Sequence, residues 1–326
     1  MNSLGGAILR ADLRGVVEEA FRQSQLFIGA KVMPPLPVPN RAGQYPVIKK
    51  NAGNLLRNEA KVRGAGATYP RITRQWENDN YTAQEYGIEA LVDDSNREDL
   101  SRFFDLESTE TRLAYRQVQL AHEIRVSSAI INTGTFSITT SATAFTLANR
   151  LGNGGFDLGL DVDTAKQAIQ GRGEDATNLS LVMSLPVFNR VRGSTQVQNR
   201  VRGIQGNDSA LVLDTASVAK ALQVKQILIG AAAYDTSAQG ASASVMSNIW
   251  PNTYAWLGAI SEPTGPQDYF GGGTGFTLFW QQDSDIFQVE SYREERARSE
   301  VIRARQYTAE KVVLAPSAQL IDLQWS

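Results

Sequence analysis

A single uninterrupted helical segment, residues 105 to 134, constrains the fold of this chain more than any other feature. Asp105 can cap its N-terminus, because a carboxylate there accepts hydrogen bonds from the first free backbone amides. Glu107 and Glu110 add negative charge in the first turn, where the helix dipole favours it. No glycine or proline follows until Gly134, which suits the left-handed position just past a helix end. The segment predicts a helix of about 27 residues, roughly 40 Å long, where about 11–12 residues is usual.

The apolar residues of this segment predict which face of the helix is buried. They recur at steps of seven and four, as one stripe of a helix does, and they are Leu106, Leu113, Leu120, Ile124 and Ile131. No heptad repeat continues past the segment, which disfavours a coiled coil. We expect a spine helix across which other segments pack.

Composition bounds the classes of protein to which the chain can belong. Its 326 residues suffice for about two domains. Hydrophobic residues make up 42% of the chain and charged residues 20%, a composition that is normal for a folded soluble protein. The formal net charge of −2 implies that any contact with nucleic acid is local or weak. The chain has no cysteine and one histidine, His122, which excludes disulfides, thiolate metal sites and multi-histidine metal centres. With no membrane-spanning apolar run and no signal peptide pattern, we expect a soluble protein made in the cytosol.

The first 40 residues are predicted to form an N-terminal arm. Helical spacing runs from Arg10 to Ile28 and ends before prolines at positions 34, 35, 37 and 39. Prolines favour an extended path and offer no N–H group to a sheet. We therefore expect the proline-rich segment to dangle or to lie along a neighbouring subunit, and not to bury itself in its own subunit.

Residues 43 to 94 show the two-residue alternation of β-strands. β-branched and aromatic residues alternate at 45–50, 67–76 and 79–94, around a glycine-containing middle at 51–67. The pattern predicts a long two-stranded excursion with a loose middle or tip. Because a lone hairpin is only marginally stable in water, we expect it to rest on other parts of the protein.

The rest of the chain mixes short helices with strands. In chain order we first predict β-prone residues at 135–147, a loop at 152–161, a helix at 162–170 and a buried strand at 179–184. A helical region from Pro186 to 203 and a short helix that Asp214 caps and that ends by 224 follow. Two strands then flank the small-residue turn Ser237–Ser244. From 271 on the chain returns to strands, with Val301, Arg303 and Arg305 on one face of the last long strand. Strands and helices are segregated, which predicts an α+β chain and not repeated βαβ units.

Motif searches give only isolated matches. The glycines of 152–159 suggest a dinucleotide-binding turn, but no strong strand precedes them and no clear helix follows at once. Ser217 and Lys220 have the spacing of penicillin-binding enzymes without the partner motifs. His122 and Glu123 lack the second histidine of a zinc helix.

Three aspartates at 157, 161 and 163 suggest calcium, but the glycine and the terminal glutamate of a calcium loop are not in place. An enzyme of this size normally shows at least one coherent constellation of catalytic residues. We therefore expect no enzyme activity, no cofactor and no metal.

Arginine is concentrated in two stretches. The first contains the sequence Asn-Arg-Val-Arg-Gly twice, at 189–193 and 199–203, and the second covers 293–305, where glutamates are interleaved. Contact with nucleic acid is one interpretation. Because arginine pairs bidentately with carboxylates, we favour salt bridges between subunits for the second stretch and leave the first open.

The order of these parts resembles the major capsid proteins of tailed double-stranded DNA bacteriophages, which have the Hong Kong 97 type of capsid fold. An arm, a long β excursion, a spine helix, a central α/β region and a returning C-terminal strand follow one another here as in that family. Residues 226–260, with a strand, a small-residue turn and Ile249-Trp250 before another apolar strand, give the most specific local match. Residues 181–192 and 291–321 are also similar to strands and a helix of that family.

The resemblance implies a layout. Residues 1–42 would be the arm, 43–92 the extended loop, 93–150 with 286–326 the peripheral domain that holds the spine helix, and 151–285 the axial domain. It also implies a structural major capsid protein, not an enzyme, whose pentamers and hexamers close into an icosahedral shell around double-stranded DNA. Its expected place is the virion capsid, after assembly in the host cytoplasm.

The partners that the resemblance implies are other copies of the chain, portal, scaffolding and decoration proteins, and weak contact with packaged DNA, with no membrane. Nothing resembles a charged scaffolding segment before the arm, so we expect a separate scaffold or a piece already removed. Some relatives cross-link a loop lysine to an asparagine of a neighbour, but we expect no cross-link here. Contacts between subunits are expected at arm prolines and at basic residues of the loop and the arginine stretches: Pro34, Pro35, Lys49, Lys50, Arg57, Lys61, Arg63, Arg190, Arg192, Arg200, Arg202, Arg293, Arg296 and Arg298.

Three other interpretations stay open at this point. An encapsulin-like nanocompartment shell would share the fold and enclose protein cargo, and the contents of purified particles separate it from a phage capsid. A soluble enzyme with an unrecognised site would stay a monomer or dimer. A nucleic-acid-binding module would bind through residues 190–202 with an affinity that falls steeply with salt.

Overall fold

The computed structural model describes residues 8–9, 26–48, 58, 60–66, 68–69, 71, 76–100, 105–142, 144, 156–205, 213–238, 240–262, 272–281 and 286–325. The strands are β1 (Ile8–Leu9), β2 (Pro35–Val38), β3 (Ala42–Ile48), β4 (Trp76–Thr82), β5 (Gln84–Asp93), β6 (Ile138–Thr140), β7 (Leu179–Ser184), β8 (Gln226–Gly230), β9 (Ala233–Asp235), β10 (Met246–Asn248), β11 (Tyr254–Ala259), β12 (Gly275–Trp280), β13 (Gln288–Glu294), β14 (Ser299–Val312) and β15 (Ala318–Asp322). The helices are α1 (Gly29–Val32), α2 (Asp94–Leu100), α3 (Leu106–Ile130), α4 (Leu158–Gly171), α5 (Leu185–Arg192), α6 (Thr195–Gln205) and α7 (Thr215–Ala221), with a 3₁₀ turn at Ala315–Ser317.

The predicted spine helix is present as α3, 25 residues long. Asp105 caps it as expected, since its side chain accepts the N–H of Glu107 at 3.1 Å. The predicted glycine cap at the other end is wrong. The helix ends at Ile130, and Gly134 instead donates its N–H to the side chain of Asn132 at 2.9 Å without a positive φ.

The predicted apolar stripe of this helix is only partly right, since Leu106, Leu120, Ile124 and Ile131 are half-buried and pack against core clusters. Leu113 is 52% exposed, whereas the buried positions carry mostly small, aromatic and polar side chains: Glu107, Thr111, Ala114, Tyr115, Val118, Gln119, His122, Glu123, Val126, Ser127 and Ile130. These residues still follow the helical period. Several of the polar ones are buried because their hydrogen-bond partners lie on the segments packed against the helix. A search for apolar spacing alone cannot identify such a face.

A six-stranded sheet, called the first sheet here, packs against α3. Its strand order is β1-β13-β14-β12-β2, and β5 also pairs with β14. The β5–β14 pairing is antiparallel and runs from Asp93 opposite Ser299 to Gln84 opposite Thr308. Tyr115 of the helix packs in one cluster with Ile302 of the sheet. The longest strands of the sheet therefore lie along the spine helix.

The proline-rich segment joins this same sheet. β2 pairs in parallel with β12, and Leu36 and Val38 are fully buried. The Pro34 carbonyl accepts the N–H of Thr277 at 3.0 Å, so Leu36 and Val38 are the residues whose amides face β12. The two prolines inside β2 direct their nitrogens to the outer edge, where no N–H is needed. The expectation that this segment cannot bury itself in its own subunit is therefore wrong.

The two-stranded excursion is confirmed where the structure describes it. β3 and β4 pair antiparallel from Ala42 opposite Thr82 to Ile48 opposite Trp76. At the base of this hairpin, Tyr45 and Tyr81 pack in one cluster with Leu36, Phe276 and Leu278 of the first sheet. The hairpin thus rests on the sheet, as its marginal stability required. The third alternating segment, 79–94, supplies the end of β4 and all of β5, and β5 lies in the sheet itself. The partner of β3 therefore begins only at Trp76, the last residue of the strand predicted at 67–76.

A five-stranded sheet, the second sheet, has the order β6-β15-β11-β7-β8. The buried strand predicted at 179–184 is confirmed as β7, and Asp214 caps α7 as expected, accepting the N–H of Ser217 at 2.8 Å. Helix α4 begins at Leu158, capped by Asp157, and not at 162. The sequence argument missed this cap and so read the first turn as loop. The glycines at 152–155 lie outside the described residues.

The region around the small-residue turn contains more strands than predicted. β8 pairs in parallel with β7, whereas the turn joins the short antiparallel pair β9 and β10. β11 then returns to the centre of the second sheet. The prediction of two strands merged these pieces, because the residues between them are as apolar as the strands.

One arginine fixes the C-terminal turn to the second sheet. Arg172 donates from Nε to the Pro316 carbonyl at 3.0 Å, from Nη1 to Gln319 Oε1 at 2.7 Å and from Nη2 to the Ala318 carbonyl at 2.9 Å. We expect Arg172→Ala to lower the free energy of unfolding by about 2 kcal/mol, because three partly buried acceptors lose their donors. Urea denaturation measures this. Arg172→Lys is the matched control, because a lysine ammonium cannot reach all three acceptors. Compared with the alanine variant, it should restore less than half of the lost free energy of unfolding. Full restoration would contradict this role of Arg172.

Candidate assembly surfaces

The outer face of the first sheet carries a ladder of opposite charges. Arg303 lies 2.7 Å from Glu89 and 3.8 Å from Glu290, and Arg305 lies 2.6 Å from Glu290. These residues belong to three adjacent strands, β5, β14 and β13. Hydrogen bonding to Glu89 raises the pKa of Arg303. Arg303 and Arg305 of the second arginine stretch are thus paired within one chain.

A second group of ion pairs holds helix α2. Arg293 makes a two-pronged contact with Asp94, at 2.7 and 2.5 Å, and this contact lowers the pKa of Asp94. Arg97 binds Glu107 at 2.9 Å and Glu300 at 3.3 Å. Arg293 therefore has a partner in its own subunit, and its predicted contact with a neighbour stays a prediction.

The turn between β13 and β14 projects the other two residues of that stretch. Arg296 and Arg298 are exposed, and Arg298 has a φ of 49°. A positive φ at a non-glycine residue is uncommon and fixes the course of the turn. These two guanidinium groups are available to a neighbouring subunit.

The repeated Asn-Arg-Val-Arg-Gly sequence has a structural reason in both copies. The valines, Val191 and Val201, are buried on α5 and α6. The first arginine of each copy is held inside the chain: Arg190 stacks on Trp325 at 3.5 Å, and Arg200 binds Asp157 at 3.0 Å. The second arginine of each copy, Arg192 and Arg202, is exposed.

The described part of the extended hairpin beyond its base is exposed. Residues 60–66 have exposed side chains, including Lys61, and Arg63 lies 4.7 Å above the ring of Tyr69. Lys49, Lys50 and Arg57 lie outside the described residues. Of the arm prolines, Pro34 is buried and Pro35 exposed at the sheet edge. The predicted contact residues that the structure describes thus lie in separate places and form no single cleft.

The residues that matched parts of metal-binding motifs have structural roles. Asp157 caps α4, Asp161 accepts from Ser141 Oγ at 2.7 Å, and Asp163 lies 3.9 Å from Arg200. His122 and Glu123 are both buried in the packing of α3. No group of three or more potential metal ligands occurs among the described residues. Within the same residues no helix is long and apolar enough to cross a membrane.

Known structures share this architecture. A phage-related protein of Bordetella bronchiseptica is 20% identical, with a TM-score of 0.71 over 98% of each chain. The capsid of cyanophage P-SCSP1u is 9% identical, with a TM-score of 0.58 over 92% of this chain and 88% of that one. The chain has the Hong Kong 97 type capsid fold. A structure from Mycobacterium phage Che8 is 14% identical, with a TM-score of 0.54 over 100% of this chain and 95% of that one.

No family model and no curated protein matches the sequence. The likeness in three dimensions nevertheless confirms the predicted fold class, an α+β capsid fold of the Hong Kong 97 type with an extended hairpin and a spine helix. The fold class was predicted from the order of the parts along the chain. The structure has the same order: β2, the β3–β4 hairpin, α3, the second sheet and the returning strand β14. Strand pairing crosses the predicted domain boundaries. β15 of the predicted peripheral domain pairs with β11 of the predicted axial domain, and β12 of the predicted axial domain pairs with β14 and β2 in the first sheet.

Sequence reasoning missed the internal partners of the charged residues. Glu89 and Asp94 were not singled out, although each lies across from an arginine on a neighbouring strand or turn. The signal that could have found Glu89 is cross-strand charge complementarity, which requires the register of β5 on β14. That register is set by long-range pairing and is not visible in either strand alone.

Proposed function

We propose that this protein is a structural capsid protein whose copies assemble as pentamers and hexamers into an icosahedral shell around double-stranded DNA, and that it is not an enzyme. The observation that carries the proposal is the fold, which matches that of a cyanophage capsid over 92% of this chain. The proposed division into domains is an arm at 1–42, an extended loop at 43–92, a peripheral domain at 93–150 and 286–326, and an axial domain at 151–285. Its place would be the virion capsid.

The exposed features support contacts between copies. The extended hairpin leaves the first sheet, and its residues 60–66 are exposed. The β13–β14 turn presents Arg296 and Arg298, and the two helices of the repeat present Arg192 and Arg202. Portal, scaffolding and decoration proteins are further proposed partners, with weak, non-specific contact to the packaged DNA. A mild net charge of −2 suits a shell that must not hold its DNA tightly.

The experiment is expression of the full chain, size-exclusion chromatography and negative-stain electron microscopy of the excluded fraction. We expect closed shells, tubes or free capsomers. Purified shells that contain a defined protein cargo and no nuclease-protected DNA would favour the encapsulin-like alternative. A small homogeneous species that does not assemble when concentrated or mixed with a scaffolding protein would overturn the proposal and return attention to an enzyme.

Reversing the charge of the two exposed repeat arginines should impair assembly without unfolding the subunit. We expect the double substitution Arg192→Glu with Arg202→Glu to reduce assembled particles by at least about tenfold, because like charges placed at an interface cost several kcal/mol. Sedimentation measures the assembled fraction, and circular dichroism checks the fold. The matched control, Lys220→Glu with Lys225→Glu, makes the same change of charge at exposed positions nearby. Equal assembly of both variants would contradict the predicted contact.

A further inference from the structure

A buried carboxylate on the spine helix joins three parts of the chain. Glu123 is 1% exposed, and its Oε1 accepts the N–H of Ile28 at 3.0 Å and the indole N–H of Trp250 at 2.6 Å. Its Oε2 accepts the N–H of Gly29 at 2.6 Å. Burial raises the pKa of Glu123, and the three donors oppose this rise. No lysine or arginine of the described ranges pairs with this carboxylate, so N–H groups compensate its burial.

The arm side of this contact is shaped for the carboxylate. Helix α1 begins after Ile28, which supplies no side-chain cap of its own. Glu123 supplies the cap from far along the chain, since it binds the first two amides of the turn. A Cβ on Gly29 would lie 2.6 Å from Glu123 Oε2. Glycine at this position is therefore what lets the carboxylate approach.

The other side of the contact belongs to the turn before β11. Trp250 is 1% exposed, and its ring covers Gly230 of β8 so closely that a Cβ there would overlap it. One helical turn beyond Glu123, Ser127 Oγ donates to the Ile249 carbonyl at 2.9 Å. The Ile249–Trp250 turn is thus tied to the spine helix at two points and to the second sheet through Gly230.

The neighbouring histidine makes a second tie to the arm. Thr277 Oγ1 on β12 donates to the Met33 carbonyl at 3.0 Å, and it lies 3.2 Å from His122 Nε2. Of these two consecutive residues of α3, Glu123 therefore binds the arm at residues 28–29, and His122 is linked to Met33 through the Thr277 hydroxyl.

We propose that Glu123 is a latch that couples docking of arm residues 28–33 to the position of the Ile249–Trp250 turn. Both segments bind one carboxylate, so the loss of either donor set leaves a buried charge less well compensated and weakens its hold on the other. A change in the arm is then transmitted to the second sheet through the carboxylate, in addition to the apolar cluster that Ile28 and Trp250 share. The spine helix is the element through which the two segments are joined.

The test is hydrogen exchange of the full-length protein, read by mass spectrometry on peptides that cover 26–38 and 246–258. We expect Trp250→Phe to speed exchange of the Ile28 and Gly29 amides by about tenfold, the effect of losing one hydrogen bond to a charged group. In the reverse direction, Gly29→Ala should speed exchange around Trp250. Glu123→Gln should release both segments. Peptides from β14 report global unfolding and serve to normalise the rates.

Trp256→Phe is the matched control, since this buried tryptophan packs in the same cluster and its indole nitrogen has no partner among the described residues. It should leave the exchange of 28–33 at the wild-type rate after normalisation. The latch is refuted if Trp250→Phe and Gly29→Ala each affect only their own segment. It is equally refuted if Trp256→Phe frees the arm as much as Trp250→Phe does. If Trp250→Phe does not fold, Gly29→Ala decides the question alone.

Discussion

Trp256→Ala is expected to lower the free energy of unfolding by about 3–5 kcal/mol, the usual cost of removing a large ring from a packed core. Trp256 is fully buried in β11, the central strand of the second sheet. Its ring packs edge-on against Phe136 at 6.3 Å and lies against Gly258, where even a Cβ would clash with it. Two rigid strands flank β11, so the cavity cannot close. Urea denaturation of unassembled subunits measures the loss.

The phenylalanine variant at this position separates packing from hydrogen bonding. Because the Trp256 indole N–H has no partner among the described residues, Trp256→Phe gives up no hydrogen bond and should cost only about 1–2 kcal/mol. A loss of the same size in both variants would mean that the ring volume is not what stabilises the sheet. That outcome would contradict the packing described here.

Acidification should destabilise the subunit through His122. Burial lowers the pKa of this histidine to about 3, and the Arg125 guanidinium adds to the effect. Glu310, 3.8 Å from the ring, would favour the charged imidazole, but Arg125 binds the same carboxylate at 3.2 Å and offsets it. The folded state thus keeps His122 neutral, whereas the unfolded state protonates it near its ordinary pKa of about 6.5.

The sign follows from proton counting. Between about pH 6.5 and pH 3 the unfolded state binds one more proton at this residue than the folded state, so stability falls as the pH falls and is level above about pH 7. From about pH 7.5 to about pH 5 the loss from one such histidine is about 2 kcal/mol. His122 is the only histidine of the chain, so no other histidine contributes to the pH dependence. Urea denaturation at the two pH values gives the difference.

His122→Gln is the control for this titration. Glutamine keeps a polar group near Thr277 but does not take up a proton, so the variant should be less stable at neutral pH and lose most of the dependence between these pH values. Most carboxylates titrate below this range. Glu123 and Asp161, whose pKa burial raises, are present in both proteins and contribute to both. The same pH dependence in both would show that His122 is not the group responsible.

Some of this structure could be read from the sequence, because certain signals are local. The Asp105 cap, the Asp214 cap and the buried strand at 179–184 each depend on a few adjacent residues. The order of arm, hairpin, spine helix and returning strand was also visible, since each part has its own periodicity. That order was enough to predict the fold class.

The errors arose where partners are distant in the chain. The buried face of α3 was misassigned because Glu123 and His122 are satisfied by residues 28–29 and 277, which no local pattern connects to them. The proline segment was expected outside its own subunit because its parallel partner, β12, lies near the other end of the chain. Apolar spacing predicts burial from the hydrophobicity of each residue alone. In this protein, burial also depends on hydrogen-bond and strand partners that are distant in the sequence.

The pairing of β2 with β12 has a consequence for how the protein is made. Residue 35 pairs with residue 277, and at typical synthesis rates the ribosome needs roughly 10–50 s to add the chain between them. During that time Leu36 and Val38, fully buried in the finished sheet, have no strand to cover them and are natural targets for chaperones. A chain that terminates before β12 and β14 cannot complete the first sheet. If subunits assemble as proposed, truncated products would lack the folded first sheet, and synthesis through β14 would be a condition for joining other subunits.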